Sequence, residues 1–537
     1  MLQLNRTDLA RRGDWEAAGV EMPAYDCAAM VSRTIQSPRW LHFGVGNIFR
    51  AYIARLQQRL LNEGKTDTGV IAVAPYDVEI IERVYEPHDN LALAAALHSN
   101  GEIGVELVAS VAETLRGDTG TERLREIARF QGLQLMSFCI TEKGYALTDL
   151  KGELSAPVRQ EMEKGPESAR HTMSIAAALM WERFRAGGAP IALLSLDNCS
   201  RNGDRLRGAV LRVARAWEEH GFVSEDFIAY LEDEKRVSFP WSMIDKITPR
   251  PSEAVSDYLT KKGIDGMELL VTSKGTFIAP FVNAEVPEYL VIENDFPGGR
   301  PLLDEAGVFF ADRETVNRVE RMKVTACLNP LHTALAVCGC LLGYATIASE
   351  MKDPLLKALV EKIGYAEGIP VVVDPGIFSP RDFIREVLED RFPNPFIPDT
   401  PQRIATDSSQ KIPIRYGETI KAWTKRPDLD VGNLTGIPLA IAAWFRYLLG
   451  VDDKLRPMEI SGDPMLPELK KGLEGIAVGS PESYRGQLRP FLSNPALFAV
   501  DLCAAGLGEK IEGLFVKMLA GKNAVRETLE ATLTSLK

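Results

Sequence analysis

The sequence predicts an α/β Rossmann-type N-terminal domain followed by a mostly α-helical C-terminal domain, and three observations carry that expectation. The stretch "RWLHFGVGN" (39–47) reads as a short strand running into a glycine turn. Several short, continuously apolar runs come after it, as expected of strands buried on both faces of a mainly parallel sheet. Past about residue 312 the apolar residues recur instead with a helical period. The expected division is therefore an N-terminal extension over 1–38, a Rossmann-type domain over 39–312 and a helical domain over 313–537.

In the first domain a helix follows the glycine turn. Ile48, Tyr52, Leu56 and Leu60 recur every four residues, with Phe49 and Ile53 beside them, until Gly64 ends the run. "GVIAVA" (69–74), rich in β-branched and small residues, completes a β-α-β unit. Further strands are expected at "VELVASV" (105–111), "LQLMSFCIT" (133–141), "PIALLSLDN" (190–198) and "MELLVTS" (267–273). The second domain is read from helical patterns such as "RETVNRVERMKVTACL" (313–328), "DPLLKALVEKIGYAEG" (353–368), "PRDFIREVLEDRF" (380–392) and "IPLAIAAWFRYLLG" (437–450).

At the turn, Gly44 and Gly46 allow tight geometry and let the backbone approach a pyrophosphate at the helix N-terminus. The third glycine of the usual fingerprint is missing, and Phe49 or Arg50 stands in its region. Asp77, just past the second strand, can accept hydrogen bonds from a ribose and repel a 2′-phosphate, which favours NAD over NADP.

A second polar group stands before one of the most apolar runs of the chain, in "MKVTACLNPLHTALAVCGCLLGY" (322–344). Pro330 fits a first helical turn, which makes Asn329 the expected N-cap and puts His332 in the same turn, with Lys323 six residues earlier. Two readings stand here: the three side chains cap, pack and meet solvent, or they face a cavity and act there. In the second reading a base takes an alcohol proton while fixed donors hold the alkoxide. A lysine does this only where burial or nearby cations lower its pKa, so Lys323 is expected in a partly dry pocket.

Composition limits the alternatives. The 537 residues are 45% hydrophobic and 25% charged with a net charge of −12 and no long basic tract, which argues against nucleic acid as a partner. The apolar run Thr333–Ala348 is shorter than the roughly twenty residues of a span, so a buried helix is expected and no membrane partner. Seven cysteines lie mostly in apolar stretches, and "MLQLNRTDLARRGDWE" has no apolar signal core; both suggest a reduced, cytoplasmic protein. The six histidines show no zinc-ligand spacing and Cys338-Gly-Cys340 reads as packing, so no metal is expected.

Several motifs, in order, resemble the polyol-specific long-chain dehydrogenases. They are "HFGVGNIFRAY" (42–52), "ITEKGY" (140–145), "SLDNCSRNGDRLR" (195–207), "FPWSMIDKITPRP" (239–251), "VIENDFPGGRP" (291–301) and "DTPQRIATDSSQKIP" (399–413). The resemblance implies NAD(H) chemistry without a metal in a cleft between a Rossmann-type and a helical domain. It makes Lys323 the general acid/base, has Asn198 and Asn329 polarise the substrate oxygen, and has His332 orient substrate hydroxyls. The cofactor turn would comprise Gly44, Gly46, Asn47, Ile48, Phe49 and Arg50, with Asp77 beyond it. Asp245, Arg403 and Lys411 would line the substrate pocket, although Arg403 or Lys411 could serve only as an interdomain ion-pair residue. The implied substrate is a sugar acid or polyol, first of all D-fructuronate reduced to D-mannonate in hexuronate breakdown. Lys143, Arg403 and Lys411 could neutralise its carboxylate. Mannitol or another polyol, and tagaturonate, are the alternative substrates, and a monomer or small homo-oligomer is expected.

One departure from the family pattern matters. "KVTACLN" has five residues between lysine and asparagine where the family has four, and "NPLH" stands for the family's Asn-Gly-Ser-His. One extra residue turns a helical position by about 100°. Either a local bulge absorbs it, or Lys323 is displaced from the position of the family's base.

Overall fold

The computed structural model describes residues 1–149 and 151–534. The chain forms two compact units, Met1–His98 with Glu102–Asn317, and Ser99–Gly101 with the chain from Arg318 onward.

The first unit is built on six parallel strands: β1 (Trp40–Phe43), β2 (Val70–Ala74), β3 (Val111–Arg116), β4 (Leu135–Phe138), β5 (Ile191–Ser195) and β6 (Val237–Ser238). Their order across the sheet is β6-β5-β4-β1-β2-β3. This is the doubly wound order, which reverses direction between β1 and β4 and opens a crevice at the strand ends there. Alternation along each strand feeds two cores. Leu41, Phe43, Ile71, Val73, Met136 and Phe138 enter one. Trp40, Val70, Ala72, Leu135 and Leu194 enter the other, with Tyr52 and Leu56 from the helix after the glycine turn. That helix opens as a π turn over Phe49–Ile53 and continues as α1 (Ala54–Asn62).

Three sequence expectations change. The run 105–111 is two strands: Ile103–Val108 belongs to a separate four-stranded sheet, and the chain breaks at Ala109 and Ser110 before β3. The run 267–273 is no core strand; only Leu270–Val271 pairs, in a small hairpin with Phe277–Ile278, and Val271 is 50% exposed. Apolar content marked both segments, but the pairing partners that settle a strand lie far off in sequence. Residues 1–38 are integrated into the unit: Trp15 is fully buried, Leu2–Gln3 pairs with Ile264–Asp265, and Val20–Glu21 pairs with Val105–Glu106.

The second unit is mostly helical. Its central helix follows α2 (Arg313–Met322) through a π turn at Lys323–Cys327 and, after Leu328, becomes α3 (Asn329–Leu342). By length and composition Arg313–Leu342 could cross a membrane, yet 72% of its apolar window is buried within the protein, as in a core helix. It packs on α4 (Gly436–Tyr447), whose first turn is capped by the buried Glu367. The Glu367 carboxylate accepts the backbone N–H groups of Thr435, Gly436 and Ile437 at 2.6–2.8 Å. Glu350 is a harder case: it is fully buried against Gly339, and neither carboxylate oxygen has a hydrogen-bond partner. Burial raises its pKa well above the usual carboxylate range.

Candidate active site

In the first unit the crevice is framed by the chain leaving β1, β4 and β5. Gly44 has φ +113° and faces the carbonyl of Cys139, which a Cβ would approach to 2.1 Å, so only glycine fits. Gly46 has open space above it, which leaves the backbone at the helix entrance bare for a phosphate group. Asn47 lies at that entrance and accepts from Arg50 at 3.2 Å, and Ile48 lines the adjoining cavity. The side chains of Phe49 and Arg50 are completely buried. Phe49 stacks on His42 at 4.4 Å, and Arg50 donates to the carbonyl of Ala279 at 2.7 Å. Both side chains pack beneath the turn.

Asp77 fits a ribose-binding role. Its Oδ2 accepts the hydroxyls of Thr272 and Thr276, both at 2.7 Å, while Oδ1 is buried without a partner. An orphaned carboxylate oxygen just past β2, the strand paired with β1 that leads into the glycine turn, is what a dinucleotide with free ribose hydroxyls would satisfy.

The motifs after β4 and β5 are tied to each other. Asp197 accepts the backbone N–H groups of Ile140 and Thr141 at 2.9 Å and the Tyr145 hydroxyl at 2.6 Å. Burial still raises its pKa, against those hydrogen bonds. From the other side, the Asn202 amide donates to the carbonyls of Ser195, Asp197 and Ser242 at 3.0–3.2 Å. Asn198 is therefore an exposed amide on a loop clamped at both ends. It lines a cavity of about 360 Å³ together with Thr141, Asp245 and Lys246. Asp245 is buried at the end of the strand Ser242–Asp245, and Lys246 pairs with Glu288 at 2.9 Å. Lys143 sits exposed on the turn Glu142–Tyr145. Asp197, Tyr145 and Asn202 were missed as positioning residues, although all three lie inside motifs visible in the sequence.

In the second unit Lys323, Asn329 and His332 belong to one helical rod. Asn329 does not start a helix as its N-cap: Leu328, at φ −129° and ψ −62°, holds that position without a side-chain cap, and Asn329 is the first residue of α3. The reason is that the chain enters from a preceding π turn, where the N–H of Leu328 reaches back five residues to the carbonyl of Lys323 at 3.1 Å. A π turn holds one residue more than an α turn, so the extra residue of "KVTACLN" has a physical place here. Lys323 is buried, 3% exposed.

The His332 ring packs tilted against Phe392 at 5.0 Å, and its Nε2 is buried without a hydrogen bond, 3.6 Å from an Asp399 oxygen. Burial, and after it the charges of Arg415, Arg403, Arg391 and Lys411, push its pKa down to about 3, which makes it a neutral imidazole at physiological pH. Arg403 is largely exposed and ion-paired to Asp399. Lys411 donates its ammonium to the carbonyls of Ile404 and Thr406. Among the described residues no cluster of three or more His, Cys, Asp or Glu side chains is arranged to hold a metal ion.

Strand order, glycine turn and anchored acid define a dehydrogenase of the Rossmann class with a helical C-terminal domain. A family model for the mannitol dehydrogenase Rossmann domain matches residues 38–295, and one for the mannitol dehydrogenase C-terminal domain matches 315–503. The chain belongs to the mannitol dehydrogenase family. D-mannonate oxidoreductase of Thermotoga maritima is 55% identical to it over 534 residues, 98% of each chain. The structure of Pseudomonas fluorescens mannitol 2-dehydrogenase in ternary complex with NAD and D-mannitol matches with a TM-score of 0.68 at 25% identity, covering 99% of both chains. A substrate-free D-sorbitol dehydrogenase shares the fold, with a TM-score of 0.79 at 24% identity over 95% of this chain and 98% of its own.

Proposed function

We propose that the protein is an NAD(H)-dependent D-mannonate oxidoreductase that interconverts D-fructuronate and D-mannonate. The observation that carries this reading is the 55% identity to the Thermotoga maritima D-mannonate oxidoreductase across 98% of both chains. The bound nicotinamide supplies or accepts the hydride. On the protein's side, the buried Lys323 donates the proton to the forming alkoxide, and the amides of Asn329 and Asn198 polarise the carbonyl oxygen. His332, kept neutral, orients substrate hydroxyls through Nε2, and Asp245 and Lys246 line the cavity beside Asn198. Cysteines that form no disulfide suit a reducing compartment, and we place the enzyme in the cytoplasm as a monomer or small homo-oligomer.

The test follows NADH absorbance with fructuronate, tagaturonate and fructose, each with and without a chelator. The expected outcome is turnover with fructuronate well above the other two and no effect of chelator. Absence of turnover on all three sinks the dehydrogenase reading, and preference for fructose or tagaturonate reassigns the substrate.

A further inference from the structure

Four cations stand close enough to His332 for their charges to depress its ionisation, and three of them can be sorted by what they already bind. Arg403 is held by Asp399. Lys411 is held by the carbonyls of Ile404 and Thr406. Arg415 differs: it makes a single hydrogen bond, from Nη1 to the hydroxyl of Thr333 at 2.6 Å, and no ion pair among the described residues. It is half-buried, in the π turn Pro413–Gly417. A guanidinium withdrawn from water without a carboxylate is unfavourable unless an anion arrives to pair with it. Its anchor, Thr333, is the residue after His332, whose Nε2 also has no hydrogen bond. Two unanswered groups therefore meet at the first turn of α3: His332 lies on it, and Arg415 reaches it from the π turn Pro413–Gly417 through Thr333. One is suited to an anion and the other to a hydroxyl.

We infer that Arg415 is the residue that binds the substrate's carboxylate, pairing through its free guanidinium N–H groups while His332 takes a neighbouring hydroxyl. This rests on the proposed reading of the substrate as a sugar acid and replaces Arg403 and Lys411 as the carboxylate partner. A neutral polyol offers nothing to Arg415, so the residue would set the choice between sugar acid and sugar.

The experiment compares wild type, Arg415→Gln and Arg415→Lys by NADH oxidation with fructuronate and fructose, and by calorimetric titration of D-mannonate and D-mannitol. For Arg415→Gln, KM for fructuronate should rise more than kcat falls, and the ratio of kcat/KM for fructuronate over fructose should drop about thirtyfold or more. Mannonate affinity should drop with it, and Arg415→Lys should lie between. Equal losses on both ketoses, or mannonate binding as tight as in wild type, would overturn the inference while leaving the dehydrogenase reading intact. Conversely, a wild type that turns over no ketose but loses mannonate binding in the variant would sustain the carboxylate site and remove the proposed reaction. If Arg415→Gln fails to fold by circular dichroism, Arg415→Lys decides, and unchanged mannonate affinity in it counts against the inference.

Discussion

Thr419 donates its hydroxyl to the carbonyl of Thr325 at 2.9 Å, inside the π turn that carries Lys323. Five residues beyond Thr325, where a π turn finds its donor, stands Pro330, which has no N–H. The threonine pair fixes the turn in its widened form. Thr419→Val should lower the urea midpoint by the equivalent of about 1 kcal/mol, and kcat should fall more than KM rises. An unchanged midpoint and kcat would show that the turn holds without it.

Lys323→Met should reduce kcat with fructuronate by about 10²- to 10⁴-fold. NADH binding, followed by fluorescence, should stay close to wild type. A variant with full kcat near neutral pH would strip Lys323 of the proton-donor role and turn attention to a water.

Asp77→Ala should raise KM for NADH and cut the preference for NADH over NADPH by about tenfold. The same shift, smaller, is expected of the Thr272→Val/Thr276→Val pair, which leaves the carboxylate in place but unanchored. Unaltered cofactor preference in both would separate Asp77 from the ribose.

His42 and His332 set an acid limit. Burial depresses both His42 and His332 from 6.5 to about 3 in the folded protein. Between those values the unfolded chain takes up protons that the folded chain refuses, so stability is retained above pH 6.5 and falls as the pH drops toward 3. Each histidine contributes a slope of up to about 1.4 kcal/mol per pH unit. His42→Phe should flatten the acid limb of a stability–pH series measured in urea, and a limb as steep as wild type would contradict the assignment. For the same reason the pH–rate profile should show no His332 ionisation near 6.5.

The Rossmann-type sheet was largely legible, because continuous apolar runs such as those of β1, β2, β4 and β5 leave few alternatives to strands covered on both faces. The hairpin at Leu270–Val271 and the break at Ala109 were not, since apolar content cannot reveal which strand lies alongside. The glycine turn and Asp77 stood out by spacing alone. The burial of Phe49 and Arg50 was not legible, because a position at the start of a helix does not fix which face its side chain takes. Sequence spacing exposed the extra residue after Lys323 but not the π turn that takes it up, whose Thr325 carbonyl is held by Thr419, 94 residues further along the chain. Arg415 lies just past the last visible motif, and its significance comes only from the partners its neighbours have and it lacks.

The buried Glu350 has a practical consequence for heat resistance. Its raised pKa means that the folded chain keeps a proton which the unfolded chain releases above about 4.5, so the side chain works against folding increasingly as pH rises toward neutral. Replacing it by the similarly sized apolar methionine should gain about 1–3 kcal/mol, read as a higher melting temperature at pH 7 and a smaller gain at pH 4. A melting point that does not rise would show that the buried carboxyl does not work against folding. With Gly339 pressed against it, the core gives methionine little room to shift, and this single site is where an engineer seeking a hardier catalyst would begin.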